Sequence, residues 1–311
     1  MANYLVTGGG GFIGSNLVRA LLDAGHAVRV LDDFSSGKRE NLSEIQDRID
    51  LIEGDIRDLA TCQSSCADME VVLHQAALGS VPRSVEDPIT SNDVNIGGTL
   101  SMLWAAKGAK VRRFVFAASS AAYGESAAMP KQEDMPTAPI SPYGVAKLTC
   151  EHYCRVFCLA YGLETFALRY FNVFGPYQDP TSQYAAVIPL FVSAMLHKKQ
   201  PVVFGDGEQT RDFTYIDNVV QANILAAQAK EARGEVINIA CQKQISLNQI
   251  LDLLRELLDT DIGANYTDPR AGDIKHSLAD ISRAREILSF EPAVDFKQGL
   301  RLAIDWYKNN L

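Results

Sequence analysis

Tyr143-Gly144-Val145-Ala146-Lys147 sets a phenol and an ammonium four residues apart, on one face of any helix that carries them. A neighbouring ammonium favours phenolate over phenol, so the spacing predicts a tyrosine drawn toward neutral pKa, as a general base requires. Taken alone, the spacing is common by chance, and a solvated couple on a helix surface is the better reading. Ser119-Ser120 closes a short apolar run. A hydroxyl at such a strand end can hydrogen-bond a substrate hydroxyl and pass on its proton. Ser119, Tyr143 and Lys147 are the expected catalytic group.

A second cluster points to a phosphate-bearing ligand. Thr7-Gly8-Gly9-Gly10-Gly11-Phe12-Ile13-Gly14 follows one apolar run and opens a helical pattern. Glycines let the chain turn tightly and let its backbone approach a pyrophosphate, and a helix N-terminus supplies free N–H groups. Asp32 ends the next apolar run. A carboxylate there accepts both ribose hydroxyls and repels a 2′-phosphate, which favours NAD over NADP. A glycine-rich turn with no ligand is the plainer alternative. The strand–turn–helix context argues against it.

The elements that must position these groups are legible as alternating runs. Asn3–Thr7, Ala27–Asp32, Asp50–Glu53, Val71–His74, Arg113–Ala117 and Thr165–Tyr170 read as strands buried on both faces. Gly11–Ala24, Asp58–Cys66, Pro88–Lys107 and Pro142–Tyr161 read as helices between them. That order predicts an α/β, Rossmann-type doubly wound parallel sheet with ligands at the carboxyl ends of its strands. After Asn172 prolines break the rhythm. Val219–Ala229, Leu247–Leu257, Ile281–Leu288 and Phe296–Asn309 are the helices expected there, and Glu235–Ala240 reads as a further parallel strand. Residues 1–172 are therefore expected to form the dinucleotide lobe, with later segments (about 213–240) returning to it. Residues 173–311 are expected to form mainly a smaller mixed α/β substrate lobe.

Composition narrows the partners. Among 311 residues, 29 Lys and Arg face 38 Asp and Glu, a net charge of -9. That excludes the broad basic footprint of a nucleic-acid binder, and an anionic ligand must find its positive charge locally. No apolar run approaches the roughly 18 residues of a membrane span. The N-terminus lacks the basic region of a signal peptide, so a cytoplasmic protein is expected. Six cysteines show no CxxC pairs or His companions, so no metal site is expected. Cys150, Cys154 and Cys158 recur along one helix face, as do Cys62 and Cys66, and read as structural thiols.

Gly8-x-x-Gly11-x-x-Gly14, Asp55-Ile56, His74-Gln75-Ala76-Ala77, Asn95, Ser119, Tyr143-x-x-x-Lys147 and Arg169-Tyr170-Phe171-Asn172 stand in one order along the chain. With these motifs it resembles, over essentially its whole length, an extended short-chain dehydrogenase/reductase of the nucleotide-sugar epimerase/dehydratase family. It is most similar to UDP-hexose 4-epimerases, above all those acting on UDP-N-acetylglucosamine and UDP-N-acetylgalactosamine. Residues 79–84, 184–189 and 270–277 resemble that subgroup's segments.

The resemblance implies tightly bound NAD, not consumed. Gly8, Gly11, Phe12, Ile13 and Gly14 would hold its pyrophosphate, Asp32 its adenosine ribose, and Asp55 with Ile56 its adenine. Asp33, Ser35, Gly37, Gln75, Ala76, Ala77 and Asn95 would complete the cofactor site. Lys147 would bind the nicotinamide ribose, and Tyr170 would lie near the nicotinamide. Asn172, Val187, Phe204, Arg211, Arg270 and Asp273 would line the UDP site, with Ser80, Ala186 and Ser277 also facing substrate. The two arginines suit a diphosphate, and surface salt bridges are the alternative for each. Tyr143, with Ser119, would take the proton of the sugar 4-hydroxyl while NAD takes the C4 hydride. The 4-keto sugar would then turn about its pyrophosphate link and be reduced on its other face.

Ser277 matches a family gate position where a tyrosine excludes an N-acetyl group. A serine there implies that acetylated and plain hexoses both fit. Ala121 and Ala122 stand where many relatives carry hydroxyls, and Gly79 where plain galactose epimerases often have a lysine. A 4,6-dehydratase would carry an Asp-Glu pair at Ser120 and Ala121, a decarboxylase would carry a Glu near Ser119, and a non-catalytic NAD sensor would have lost Tyr143 or Lys147. A uronic-acid 4-epimerase remains the alternative within the family. The resemblance also implies a homodimer packing through the Pro88–Lys107 and Pro142–Tyr161 helices, where Cys150, Cys154 and Cys158 are a candidate contact face.

Overall fold

A computed structural model describes residues 1–126, 128–181, 186–269 and 275–310. Seven strands form one parallel sheet: β1 (Asn3–Thr7), β2 (Ala27–Asp32), β3 (Asp50–Glu53), β4 (Val71–His74), β5 (Arg113–Ser119), β6 (Glu164–Tyr170) and, from much later in the chain, a strand at Glu235–Ile239 beside β6. The spatial order is β3, β2, β1, β4, β5, β6 and then that last strand. The direction of strand addition reverses between β1 and β4, where a doubly wound sheet opens a crevice at its carboxyl edge. The register places Thr7 beside His74 and Ser119 beside Tyr170, all four at that edge. β4 is buried at every residue and β1, β5 and β6 at all but one terminal residue, as their unbroken apolar composition requires.

Helices α1 (Phe12–Asp23) and α2 (Leu59–Cys66) fall where the sequence places them. The Pro88–Lys107 stretch does not run as one helix. A further short helix, α3 (Val81–Glu86), precedes it, and it holds α4 (Pro88–Asn92), a π-helical turn at Asp93–Gly98 and α5 (Thr99–Gly108). Asp87 divides α3 from α4, because its side chain accepts the Thr90 N–H as a helix cap. The π turn packs closely against the loop after β3: a Cβ on Gly98 would stand 2.5 Å from Ile56 Cδ1, so a larger residue there would require the Ile56 side chain to move.

Helix α6 (Pro142–Tyr161) matches its expected bounds. Ser141 caps it by accepting the Gly144 N–H, Pro142 opens it, and Gly162 ends it at φ 72°. Cys150 and Cys154 are buried, so this cysteine row faces the core; the outward face of α6 carries Val145, Val156 and Leu159. The cysteines are therefore not an exposed contact face.

Beyond β6 come β7 (Val173–Phe174), α7 (Val187–Leu196), β8 (Val202–Phe204), β9 (Thr210–Asp212), β10 (Thr214–Tyr215), α8 (Ile216–Gln228), β11 (Glu235–Ile239), β12 (Gln244–Ser246), α9 (Leu247–Leu258), β13 (Asn265–Thr267), α10 (Ser282–Leu288) and α11 (Phe296–Asn310). α7 is absent from the sequence expectations because Pro189 reads as a breaker. It sits in the first helical turn, where proline is tolerated.

Candidate active site

The glycine turn is built by exclusion. Gly8 has φ 70°, and a Cβ there would stand 2.7 Å from the Ala76 nitrogen; a Cβ on Gly14 would collide with the Gly8 carbonyl. Gly11 stands at the N-cap of α1 and supplies no side-chain cap, so the first N–H groups of the helix have no side-chain acceptor there. Asp32 is buried at the end of β2 and accepts the Gly10 and Phe34 N–H groups, each at 2.8 Å. Burial pushes its carboxyl above the usual range, against the lowering effect of those two bonds. Each oxygen keeps a lone pair for a ribose hydroxyl.

Gly8, Gly11, Asp32, Asp33, Ser35, Gly37, Asp55, Ile56, Gln75, Ala76 and Ala77 line one groove over this turn. The cradle fits a dinucleotide. Phe12 lines the adjoining cavity of about 550 Å³ with Ser80 and Ala186. Asn95 acts at one remove: its amide bonds the backbone of Leu78 (2.8 Å from the N–H, 3.3 Å to the C=O) and shapes the groove wall. Ile13 lines neither space.

Beneath the groove, polar contacts fix a histidine tautomer. Thr99 donates its hydroxyl to the Asn95 carbonyl at 2.6 Å, so it must accept from His74 Nε2 at 3.0 Å. His74 Nδ1 then accepts from Thr7 at 2.7 Å, and the Thr7 oxygen takes the Ala76 N–H at 3.2 Å. Burial pushes the imidazole down to about 3, consistent with this neutral form. Tyr170 is buried, with its hydroxyl 2.8 Å from Asn223 Nδ2 and 3.2 Å from Gln75 Nε2. Asn223, wholly buried on α8, is a site-shaping residue that sequence reading missed. An amide on the buried side of an apolar helix was its only signal.

Ser119, Tyr143 and Lys147 converge at the carboxyl end of β5. Ser119 hydrogen-bonds the Tyr143 hydroxyl, which lowers the phenol's pKa, but burial dominates and raises it. The expected depression by Lys147 is not met. The ammonium lies 5.7 Å from the Tyr143 ring centre and donates to the Ala117 carbonyl at 2.7 Å. Burial brings Lys147 itself down to about 8. Ser84 Oγ accepts the Tyr143 N–H at 3.1 Å, tying α3 to the start of α6.

Across the crevice, Asn172, Ala186, Val187 and Arg211 line a cavity of about 290 Å³, and Phe204 lines its neighbour with Gln209 and Lys275. Ser277 stands beside Asn172, whose Nδ2 donates to its hydroxyl at 3.3 Å. Arg270 and Asp273 lie outside the described residues, as does Tyr184 of the similar segment. Among the described residues no cluster of His, Cys, Asp or Glu has metal-site geometry, and no helix is long and apolar enough to cross a membrane.

Residues 4–240 match the model of the NAD dependent epimerase/dehydratase family. A UDP-N-acetylglucosamine 4-epimerase from Methanobrevibacter ruminantium, solved with UDP-N-acetylmuramic acid, is 44% identical, with TM-score 0.95 over 100% of this chain and 99% of that one. The UDP-glucose 4-epimerase of Thermus thermophilus, solved with NAD, is 33% identical, with TM-score 0.90 over 99% of this chain and 100% of its own. The UDP-glucose 4-epimerase of Mycolicibacterium smegmatis is 37% identical over 310 residues, 98% of each chain. Alongside the dinucleotide cradle and the Ser-Tyr-Lys group, these likenesses are decisive: the chain belongs to the NAD dependent epimerase/dehydratase family.

Proposed function

We propose that the chain interconverts UDP-N-acetylglucosamine with UDP-N-acetylgalactosamine, and UDP-glucose with UDP-galactose. It is an NAD-dependent UDP-sugar 4-epimerase. The observation that carries the reading is the gathering of Ser119, Tyr143 and Lys147 at the carboxyl end of β5, with Ser119 bonded to the Tyr143 hydroxyl and the Lys147 ammonium 5.7 Å from its ring centre.

NAD, when bound, would supply the hydride acceptor and donor for sugar C4. The chain's own residues do the rest. Tyr143 Oη takes the proton of the sugar 4-hydroxyl and gives it back, with Ser119 Oγ sharing that hydrogen bond. Lys147, fixed on the Ala117 carbonyl, holds positive charge near the phenol and would bind the nicotinamide ribose. Arg211 presents a guanidinium fork to the diphosphate. Ser120 and Ala121 follow Ser119 with no carboxylate, so the additional acid and base of a 4,6-elimination are missing there.

Ser277 beside Asn172 supports the acetylated substrate, since a small side chain leaves space at the sugar end. Ser277→Tyr is expected to lower turnover of UDP-N-acetylglucosamine at least a hundredfold while sparing UDP-glucose. Equal loss on both substrates would contradict the gate.

Two copies are proposed to pair through α5 and α6. Trp104, Val156, Leu159 and Tyr161 are large apolar side chains left exposed on these helices, with Leu159 71% exposed. A cytoplasmic setting accords with six free thiols. Division at about residue 172 into cofactor and substrate lobes is part of the same proposal.

A further inference from the structure

Asp212 ends β9 wholly buried, and among the described residues no ion pair reaches it. Its carboxylate is satisfied by backbone alone. Oδ1 accepts the Cys241 N–H at 3.0 Å and Oδ2 the Ala279 N–H at 3.2 Å, with the Gln242 and Lys243 N–H groups also bonded to it. Charge-assisted bonds of this kind are the strong ones. A buried carboxylate without a cation is otherwise expensive.

The main chain of Asp212 faces the sugar side. Its carbonyl accepts Asn172 Nδ2 at 3.0 Å, and its N–H donates to Ser277 Oγ at 3.4 Å. Asn172 Nδ2 also reaches Ser277 Oγ, so the three residues meet at one point. The segment carrying Ser277 is held on its other side by Lys131, which bonds the backbone of Leu278 and Asp280. One carboxylate thus joins residues 241–243 and Ala279 to the strand that also carries Arg211.

We propose that Asp212 is a positioning residue of the sugar pocket: its carboxylate sets Ser277 against Asn172 and so sets which hexose the pocket admits. The proposal rests on the reading that Ser277 faces the sugar. An asparagine cannot substitute, because its NH2 would confront N–H donors where the second carboxylate oxygen now accepts.

Asp212→Asn in the full, NAD-loaded chain tests this through kinetics on UDP-N-acetylglucosamine and UDP-glucose. Cofactor content is read by absorbance and UDP binding by calorimetry. The expected result is a KM for UDP-N-acetylglucosamine raised about tenfold or more, a kcat within about threefold, a shifted ratio of the two kcat/KM values and unchanged cofactor content. A wild-type KM and ratio would overturn the proposal, and so would parallel loss of cofactor and of kcat on both sugars. If that variant does not fold, Asp212→Glu keeps the charge but displaces it by a methylene, and a wild-type ratio there would overturn the proposal equally. Hydrogen exchange on the wild-type chain needs no variant. The Cys241 and Ala279 amides should gain protection together when UDP binds, and protection of neither counts against the role. A wild-type chain that binds UDP yet epimerises no sugar would instead sink the epimerase reading.

Discussion

At Tyr143 two effects oppose each other, and burial wins: the phenol is pushed up while the Ser119 hydrogen bond pulls it down. A phenol held this way is a poor base until a positive charge comes close, which is the electrostatic task proposed for Lys147 and the bound cofactor. Tyr143→Phe is expected to lower kcat by about 10²- to 10⁴-fold, the usual worth of a placed general base, with UDP affinity by calorimetry unchanged. Lys147 carries its own pH signature. Its native pKa of about 8 lies below the ordinary 10.5, so below pH 8 the buried ammonium disfavours the native state. Between 8 and 10.5 the unfolded chain binds more protons, and stability rises with pH. Measured on the cofactor-free protein, the Tm of wild type minus that of Lys147→Met should therefore climb from about pH 8 to about pH 10. A flat difference would contradict this. The spacing of Tyr143 and Lys147 was legible in the sequence, but the distance between their polar ends was not. It depends on the Ala117 carbonyl, supplied by another element.

Helix α6 shows which element boundaries a sequence carries. Ser141, Pro142 and Gly162 are local signals, and each does locally what its chemistry dictates. The π turn before α5 is the opposite case. It packs through Asn95 gripping the Leu78 backbone and Gly98 passing Ile56, contacts between residues far apart in sequence. The faces of α6 differ: Tyr143 and Lys147 turn to the end of β5, Cys150 and Cys154 to the core, and Val156 with Leu159 stay exposed. Leu159→Glu is expected to convert the proposed dimer to monomer in sedimentation, since a charge in the centre of an apolar contact is left desolvated. An unchanged sedimentation coefficient would move the interface elsewhere.

Across the whole molecule, the parallel sheet was readable because its strands are continuous apolar runs separated by helical patterns. Even β11, distant in sequence, announced itself that way. The substrate side was not readable at that level. β8, β9, β12 and β13 are three-residue strands whose partners lie far along the chain, and Asp212 looks like any acidic residue until Cys241 and Ala279 close on it. The half that carries the sheet is thus written in local motifs, and the half beyond β6 in long-range contacts. The measurement that bears most directly on the two halves working together is proton NMR of the anomeric region. The purified protein would act on UDP-N-acetylglucosamine with no NAD added. Appearance of the galacto isomer is the predicted result. A 4-keto-6-deoxy product, or no conversion by protein shown to hold NAD, would contradict the account.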